Sequence, residues 1–441
     1  MQANARTRPR TGHAACAGKN IRYRSSSPRF RTTRERSSIP PMAVTFRKQI
    51  LDNGLTIIAE CDAAAHSAAA GFFVKTGARD EQAPVMGVSH FLEHMMFKGT
   101  PGRTAEQINK DFDTIGAKNN AYTSAEMTCF HASVLPESLL GNGGAIDLLS
   151  DMLRPALRQD DFDTEKNVIL EEIAMYEDNP FWVLYERAME LHFAGENPAR
   201  AGHTHPLGHR VLGTKQTITD LTSTQMRDYF QSRYSADNTV VALAGKIDFD
   251  AAVDELSRRC GHWSRTGARR APGTPLLAER TLELRDEKVN RAYLVVLSSA
   301  PASNDPRRYA ASLMAQVLGG PDNSRLHWSL IETGLAEQAE VGFEPKDGCG
   351  DFLLYIACDP ERREEIWSIA NAQSDALSST LCDADLEKIR CKAATGVTLA
   401  GERPGGRMQR LGRQWTYLGT YSTLEEELAK INAVKIGRAH V

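Results

Sequence analysis

Two histidines and a glutamate fall within five residues of the segment GVSHFLEHMMFKGT (87–100): His90, Glu93 and His94. On a helix, His90 and His94 are i and i+4, so both imidazoles leave one face about one turn apart. That spacing suits two nitrogen ligands on one tetrahedral zinc ion. Glu93 sits beside them, where its carboxylate could reach a water on the metal, take its proton and pass it to a leaving amine. This is the logic of the HExxH metalloproteases with the order reversed, H-x-x-E-H. Such a site needs a third protein ligand, which the pentapeptide cannot supply.

The elements that must hold these residues can be read from periodicity. Apolar side chains recur at helical spacing over 84–97, after Pro84, so the HxxEH segment is expected on a helix. Residues 45–60 alternate around Asp52-Asn53-Gly54, a hairpin signal, and SAAAGFFVKTGA (67–78) reads as a buried strand. A helix over 103–115 stops at Gly116, a suitable C′ residue, and strand pattern returns over 119–135. Helices are expected near 137–153, 160–178, 181–193, 220–232 and 248–260, with a strand at 238–245. The Pro-, Gly- and Arg-rich stretch 264–280 reads as a linker. Beyond it come a strand at 291–299, a helix at 306–318, a strand at 351–358 and helices at 361–378 and 383–399. Strands and helices interleave without regular βαβ alternation, so the fold class expected is α+β. The domains expected are a leader (1–42), an N-terminal domain (43–263), the linker (264–280) and a C-terminal domain (281–441).

Composition bounds the function. No apolar run approaches the length of a membrane span, and hydrophobic (41%) and charged (25%) contents are those of a globular protein. The eight cysteines are scattered with no CxxC pair, which points to a reducing compartment and gives no sign of a zinc ribbon. Residues 1–42 hold nine Arg and Lys19 against Glu35, a net +9; the whole chain is −3, so the rest is −12. An acidic body argues against nucleic acid as the main partner and suits basic or unfolded polypeptide. The Arg- and Ser-rich leader lacks hydrophobic periodicity and is expected to be disordered. It reads as a transit-like segment, a basic tail, or sequence upstream of a true start at Met42, the last favoured by the abrupt change to strand pattern at Val44. Accordingly the expected location is the bacterial cytoplasm, or the mitochondrial matrix if the leader is a transit peptide. The closing IGRAHV (436–441) equals one reading frame of a common sequencing-adapter oligonucleotide, so the natural chain is expected to continue differently after Lys435.

GVSHFLEHMMFKGT resembles the signature of the pitrilysin, insulin-degrading enzyme and mitochondrial processing peptidase family, and is most similar to the single-length members that form two-subunit enzymes. The resemblance runs from about 45 to 435, through RYSADNTVVALAGKID (233–248), SRLHWSLIETGLAE (324–337) and GERPGGRMQRLGRQWTYLG (401–419). It implies two similar domains, each a mainly antiparallel sheet covered by helices, closing as a clamshell. It implies one Zn2+ per chain, peptides or unfolded, presequence-like segments as substrate, and a homodimer or a heterodimer with a homologous subunit.

In this family the third ligand is a Glu roughly 76–77 residues past the second His, seven residues after another Glu. DTEKNVILEEIAMYED (163–178) offers Glu165 and Glu172, two helical turns apart, with Glu172 lying 78 residues past His94. The resemblance thus makes Glu172 the ligand and Glu165 its supporting partner; Glu171, at 77, competes on spacing alone. NNAYTSAEMT (119–128) is similar to the family's edge strand, which implies substrate contacts at Asn120 and Ala121. His203 and His205, in GHTHPLGHRVLGT (202–214), are expected in a solvated turn in preference to a second metal site. Many active relatives carry an Arg and a Tyr seven residues apart that bind the substrate carbonyl; the equivalent positions here are Leu330 and Glu337. The resemblance therefore also admits a weakly active or non-catalytic partner subunit.

Overall fold

The computed structural model describes residues 44–194, 205–270 and 279–439. The basic leader, His203, the middle of the expected linker and the last two residues lie outside the described residues. Nine strands are described: β1 (Thr45–Ile50), β2 (Thr56–Cys61), β3 (Ala68–Val74), β4 (Lys118–Thr123), β5 (Thr128–Val134), β6 (Thr239–Gly245), β7 (Ala292–Ala300), β8 (Ala336–Pro345) and β9 (Gly350–Cys358). The first six form one sheet in the order β1-β2-β6-β3-β5-β4, antiparallel except for β2 and β6, and the last three form a second, antiparallel sheet in the order β7-β9-β8. Both halves are therefore α+β, with sheets of unequal size.

The helices of the first half are α1 (Val88–Met96), α2 (Ala105–Thr114), α3 (Ala145–Met152), α4 (Gln159–Glu177), α5 (Pro180–His192), α6 (Lys215–Asp220), α7 (Ser223–Arg233) and α8 (Phe249–Cys260). Those of the second are α9 (Arg308–Gly319), α10 (Arg363–Thr380), α11 (Asp383–Glu402), α12 (Pro404–Leu418), α13 (Leu424–Asn432) and the single turn α14 (Ile436–Ala439). Among the described residues no helix is long and apolar enough to cross a membrane.

The hairpin β1–β2 turns at Asp52-Asn53 with Gly54 at φ 90°, and α2 ends at Gly116 with φ 64°, both where sequence placed them. The helix expected over 137–153 is shorter. A single 3₁₀ turn covers Pro136–Ser138, and Gly141 and Gly143 at φ 89° and 78° break the chain before α3. The 264–270 end of the expected linker is tied down: Thr266 and Gly267 donate backbone N–H groups to Asp237, and Arg270 is buried among acids.

Alternation along the first sheet sorts its residues onto two buried faces. Ile57, Ala70, Phe72, Phe130, Val241 and Leu243 join α1, α3 and α8 in the main core. Ile58, Ala69, Phe73, Cys129, Ala242 and Ala244 face the other way and pack on Met408 and Leu411 of α12, a helix from the C-terminal half. Small residues on this face let α12 approach closely; a Cβ on Gly412 would collide with the Phe73 ring, and one on Gly71 with Met408. In the second half, α9 and α10 cover one face of the smaller sheet, with Leu326, Leu330, Ile356 and Ile366 in the core between them.

Candidate metal centre

Burial fixes α1. Val88, Phe91, Leu92, Met95 and Met96 enter the main core, which leaves His90, Glu93 and His94 toward α4 and β4. Phe91 stacks on Phe162 of α4, centroids 4.8 Å apart and planes within 9°. The start of α1 is held by a side chain from outside the helix: Glu81, 3% exposed, accepts the backbone N–H groups of Gly87 and Ser89 at 2.7 Å each. Along α4, Phe162, Glu165, Ile169 and Ile173 are buried, and Glu172 lies half-buried on the same side.

One nitrogen each from His90 and His94 and one oxygen from Glu172 lie within 4.8 Å of one another. Glu172 Oε2 stands 3.5 Å from His94 Nε2 and 3.8 Å from His90 Nε2, and the two imidazole centroids are 4.6 Å apart. These separations are too long for hydrogen bonds. They are close to the edge of a tetrahedron of donors around one zinc ion, about 3.3 Å for bonds of 2.0–2.1 Å. Neither ring nitrogen of His90 has a hydrogen-bond partner among the described residues, and its Nδ1 is fully buried. The donor set thus fits a cation. Glu171 is exposed and outside the cluster.

The surroundings set protonation. Burial, with the neighbouring His94, pushes the His90 imidazole down to about 3, so the ring is neutral. Burial also lowers His94, but the hydrogen bond to Glu165 and the charges of Glu172, Glu165 and Glu93 outweigh it and leave it raised. His94 Nδ1 is 2.8 Å from Glu165 Oε1, and Lys98 pairs with the other Glu165 oxygen. Burial raises Glu165, yet the contacts with His94 and Lys98 prevail and hold it below the ordinary carboxylate range. Glu93 is raised by burial, an effect opposed by Thr123 Oγ1–H, which donates to Glu93 Oε2 at 2.6 Å.

β4 is an edge strand, paired on one side only by β5, and carries Asn120, exposed, and Ala121, half-buried. Thr123, at its end, joins that strand to Glu93. Sequence reasoning missed Thr123, Lys98 and Glu81, because a lone Thr, Lys or Glu in those positions carries no motif. It also missed a buried ion cluster behind the β4–β5 turn. There Glu126 pairs with Arg79 (2.6 Å), Arg270 spans Asp80 (2.8 Å) and Asp347 (3.3 Å), and the backbone N–H of Asp347 reaches Glu126 at 3.2 Å. Asp347 lies in the β8–β9 turn, so the cluster ties the two halves together.

His205 Nδ1 accepts the Leu207 N–H in a short turn and belongs to no metal cluster among the described residues. Leu330 is fully buried in the second core, and Glu337 pairs with Arg291 at 2.5 Å.

Residues 56–202 match the sequence profile of the insulinase family (peptidase family M16), and residues 220–392 that of the peptidase M16 inactive domain. An uncharacterized zinc protease of Mycobacterium tuberculosis is 33% identical over 413 residues, 90% of this chain and 90% of the relative. An uncharacterized zinc protease of Bacillus subtilis is 29% identical over 402 residues, 89% and 94% of the two chains. The crystal structure of a protease from Helicobacter pylori superposes with a TM-score of 0.80 at 19% identity, over 90% of this chain and 95% of that one.

Proposed function

The chain belongs to the insulinase family of peptidases (M16), and on that premise we propose that it is a zinc-dependent endopeptidase acting on peptides or unfolded, presequence-like polypeptide segments. The observation that carries this reading is the convergence of His90 Nε2, His94 Nε2 and Glu172 Oε2 beside a buried Glu93. Those three atoms would hold the ion. Zinc supplies Lewis acidity when bound, acidifying water and polarising a carbonyl oxygen. Glu93 Oε2 is occupied by Thr123, while Oε1 has no hydrogen-bond partner among the described residues and takes the proton of the attacking water. The same oxygen then returns that proton to the departing amine nitrogen, so no covalent intermediate is needed. Glu165 fixes the His94 ring through Nδ1, directing Nε2 to the ion. The free edge of β4 would take the substrate backbone as an added strand, with Asn120 and Ala121 as contacts.

A second reading has its own observation. Leu330 is buried and Glu337 is ion-paired, so neither offers an N–H or hydroxyl to the substrate carbonyl oxygen. In this reading the chain is a weakly active or non-catalytic partner in a heterodimer, whose homologous subunit supplies the missing donor.

A peptide digest by the full-length chain, with and without chelator and with Glu93→Gln alongside, tests both. Cleavage that needs zinc and disappears in Glu93→Gln supports the first reading. Zinc binding with cleavage only after a homologous subunit is added supports the second. Zinc-independent cleavage, or none under either condition, overturns both.

A further inference from the structure

A solvent-open cavity of about 400 Å³ lies between the end of α3 and the end of α8, on elements that contribute no residue to the metal centre. Arg154, just past α3, lines one side; Arg258, Arg259, His262 and Trp263 line the other. Its volume is in the range of small-ligand sites.

The acids in its wall are already matched. Asp147 pairs with Arg103 at 2.9 Å and with Arg259, and Asp151 pairs with Arg103 at 2.6 Å. Arg259 is further engaged by Glu255 at 2.8 Å. Arg154 is different. Among the described residues it has no carboxylate partner, and its only hydrogen bond runs from Nη1 to the Leu153 carbonyl at 2.6 Å. The guanidinium is stacked on the buried Trp263 ring, 3.6 Å from its centroid, with Phe230 at 5.8 Å. Burial lowers its pKa to about 10. Arg258 and His262, exposed at the rim, also lack ion-pair partners among the described residues.

A half-buried cation such as Arg154 without a counter-ion is unfavourable, and stacking on an aromatic face offsets that only in part. Stacking also fixes the plane of the guanidinium, so its unused N–H groups form a preorganised fork for two oxygens of one anion. A second cation at the rim completes the site for a doubly charged oxyanion. We propose that this cavity binds a phosphate oxyanion, free or as a small monoester, between Arg154 and Arg258 with His262 at the rim. The site is independent of the metal centre and of the reading given for it.

Inorganic phosphate titrated into the full-length protein, against chloride at matched ionic strength, tests the site through Tm and calorimetry. Phosphate is expected to raise Tm saturably where chloride does not. Arg258→Ala, an exposed change, keeps the Tm in chloride and weakens phosphate about tenfold or more. Arg154→Met abolishes the saturable response; if that variant does not fold, Arg258→Ala decides alone. Equal responses to phosphate and chloride, or an undiminished phosphate response in Arg258→Ala, overturn the proposal. Glycerol phosphate binding tighter than phosphate assigns a monoester ligand, and binding no tighter assigns the free ion.

Discussion

Glu165 holds one nitrogen of His94 at 2.8 Å while the other nitrogen of the same ring stands 3.5 Å from Glu172. The two carboxylates thus address opposite ends of one imidazole, one from seven residues earlier on the same helix. Glu165→Gln keeps a hydrogen-bonding side chain but loses the charge that fixes the tautomer and draws in Lys98. The expected result is a fall in zinc affinity of about 10–100-fold, with folding retained, read by competition with a chromophoric chelator.

Glu172→Gln removes a charged donor from the cluster and is expected to leave the purified protein without stoichiometric zinc. Glu171→Gln changes an exposed side chain and should leave both zinc content and activity unchanged. Metal analysis of the two variants side by side decides between adjacent residues; loss of zinc in Glu171→Gln alone would reverse the assignment.

Thr123→Val deletes the hydroxyl that stabilises ionised Glu93. Burial already raises this carboxyl, and losing the hydrogen bond raises it further. A general base works only when ionised, so the acidic limb of the kcat profile moves to higher pH. At acidic pH kcat should fall about tenfold, with a smaller loss on the alkaline side. An unshifted limb would show that the hydroxyl does not act on the base.

Glu81 carries a stability signal that differs from that of a surface acid. Burial, against the N–H groups of Ser89 and Gly87, pushes its carboxyl up to about 8 from an ordinary value near 4.5. Between those values the folded chain keeps a proton that the unfolded chain releases. Its contribution is therefore full below about pH 4.5 and is lost as pH rises toward 8. Urea unfolding of wild type and Glu81→Gln across that window should show the downward slope in wild type only. The variant should also lose about 1–3 kcal/mol at the acid end, because an amide NH2 meets an N–H that needs an acceptor.

Glu126→Ala takes the paired carboxylate from Arg79 and one of three from Arg270, in a buried site between the halves. Removing one member of a buried ion cluster costs about 3–5 kcal/mol, which should appear as a lower denaturation midpoint with zinc affinity unchanged.

The legibility of these features in the sequence follows their range. His90, Glu93 and His94 declare themselves because an i, i+4 pair is a local signal. The β1–β2 hairpin and the end of α2 were visible for the same reason, since Gly54 and Gly116 are needed by the turns they make. Glu171 and Glu172 could not be separated by counting, because one residue of slack in 78 is no larger than the smallest loop insertion; the facing of α4 separates them in space. α3 began late because three glycines before it interrupt a run that looked helical. The Arg79–Glu126–Arg270 cluster joins residues 47 and 144 positions apart, and no single-sequence pattern marks it.

The six-stranded sheet has its second face covered by α12, residues 404–418, so closely that a side chain at 412 would collide with the Phe73 ring and one at 71 would displace Met408. During synthesis that face stays bare while more than a hundred further residues are made. At about 5–20 residues per second, the half bearing His90, Glu93 and His94 waits on the order of ten seconds for its lid of Met408 and Leu411. The half that carries the candidate metal ligands therefore finishes packing last, when nearly the whole chain has emerged.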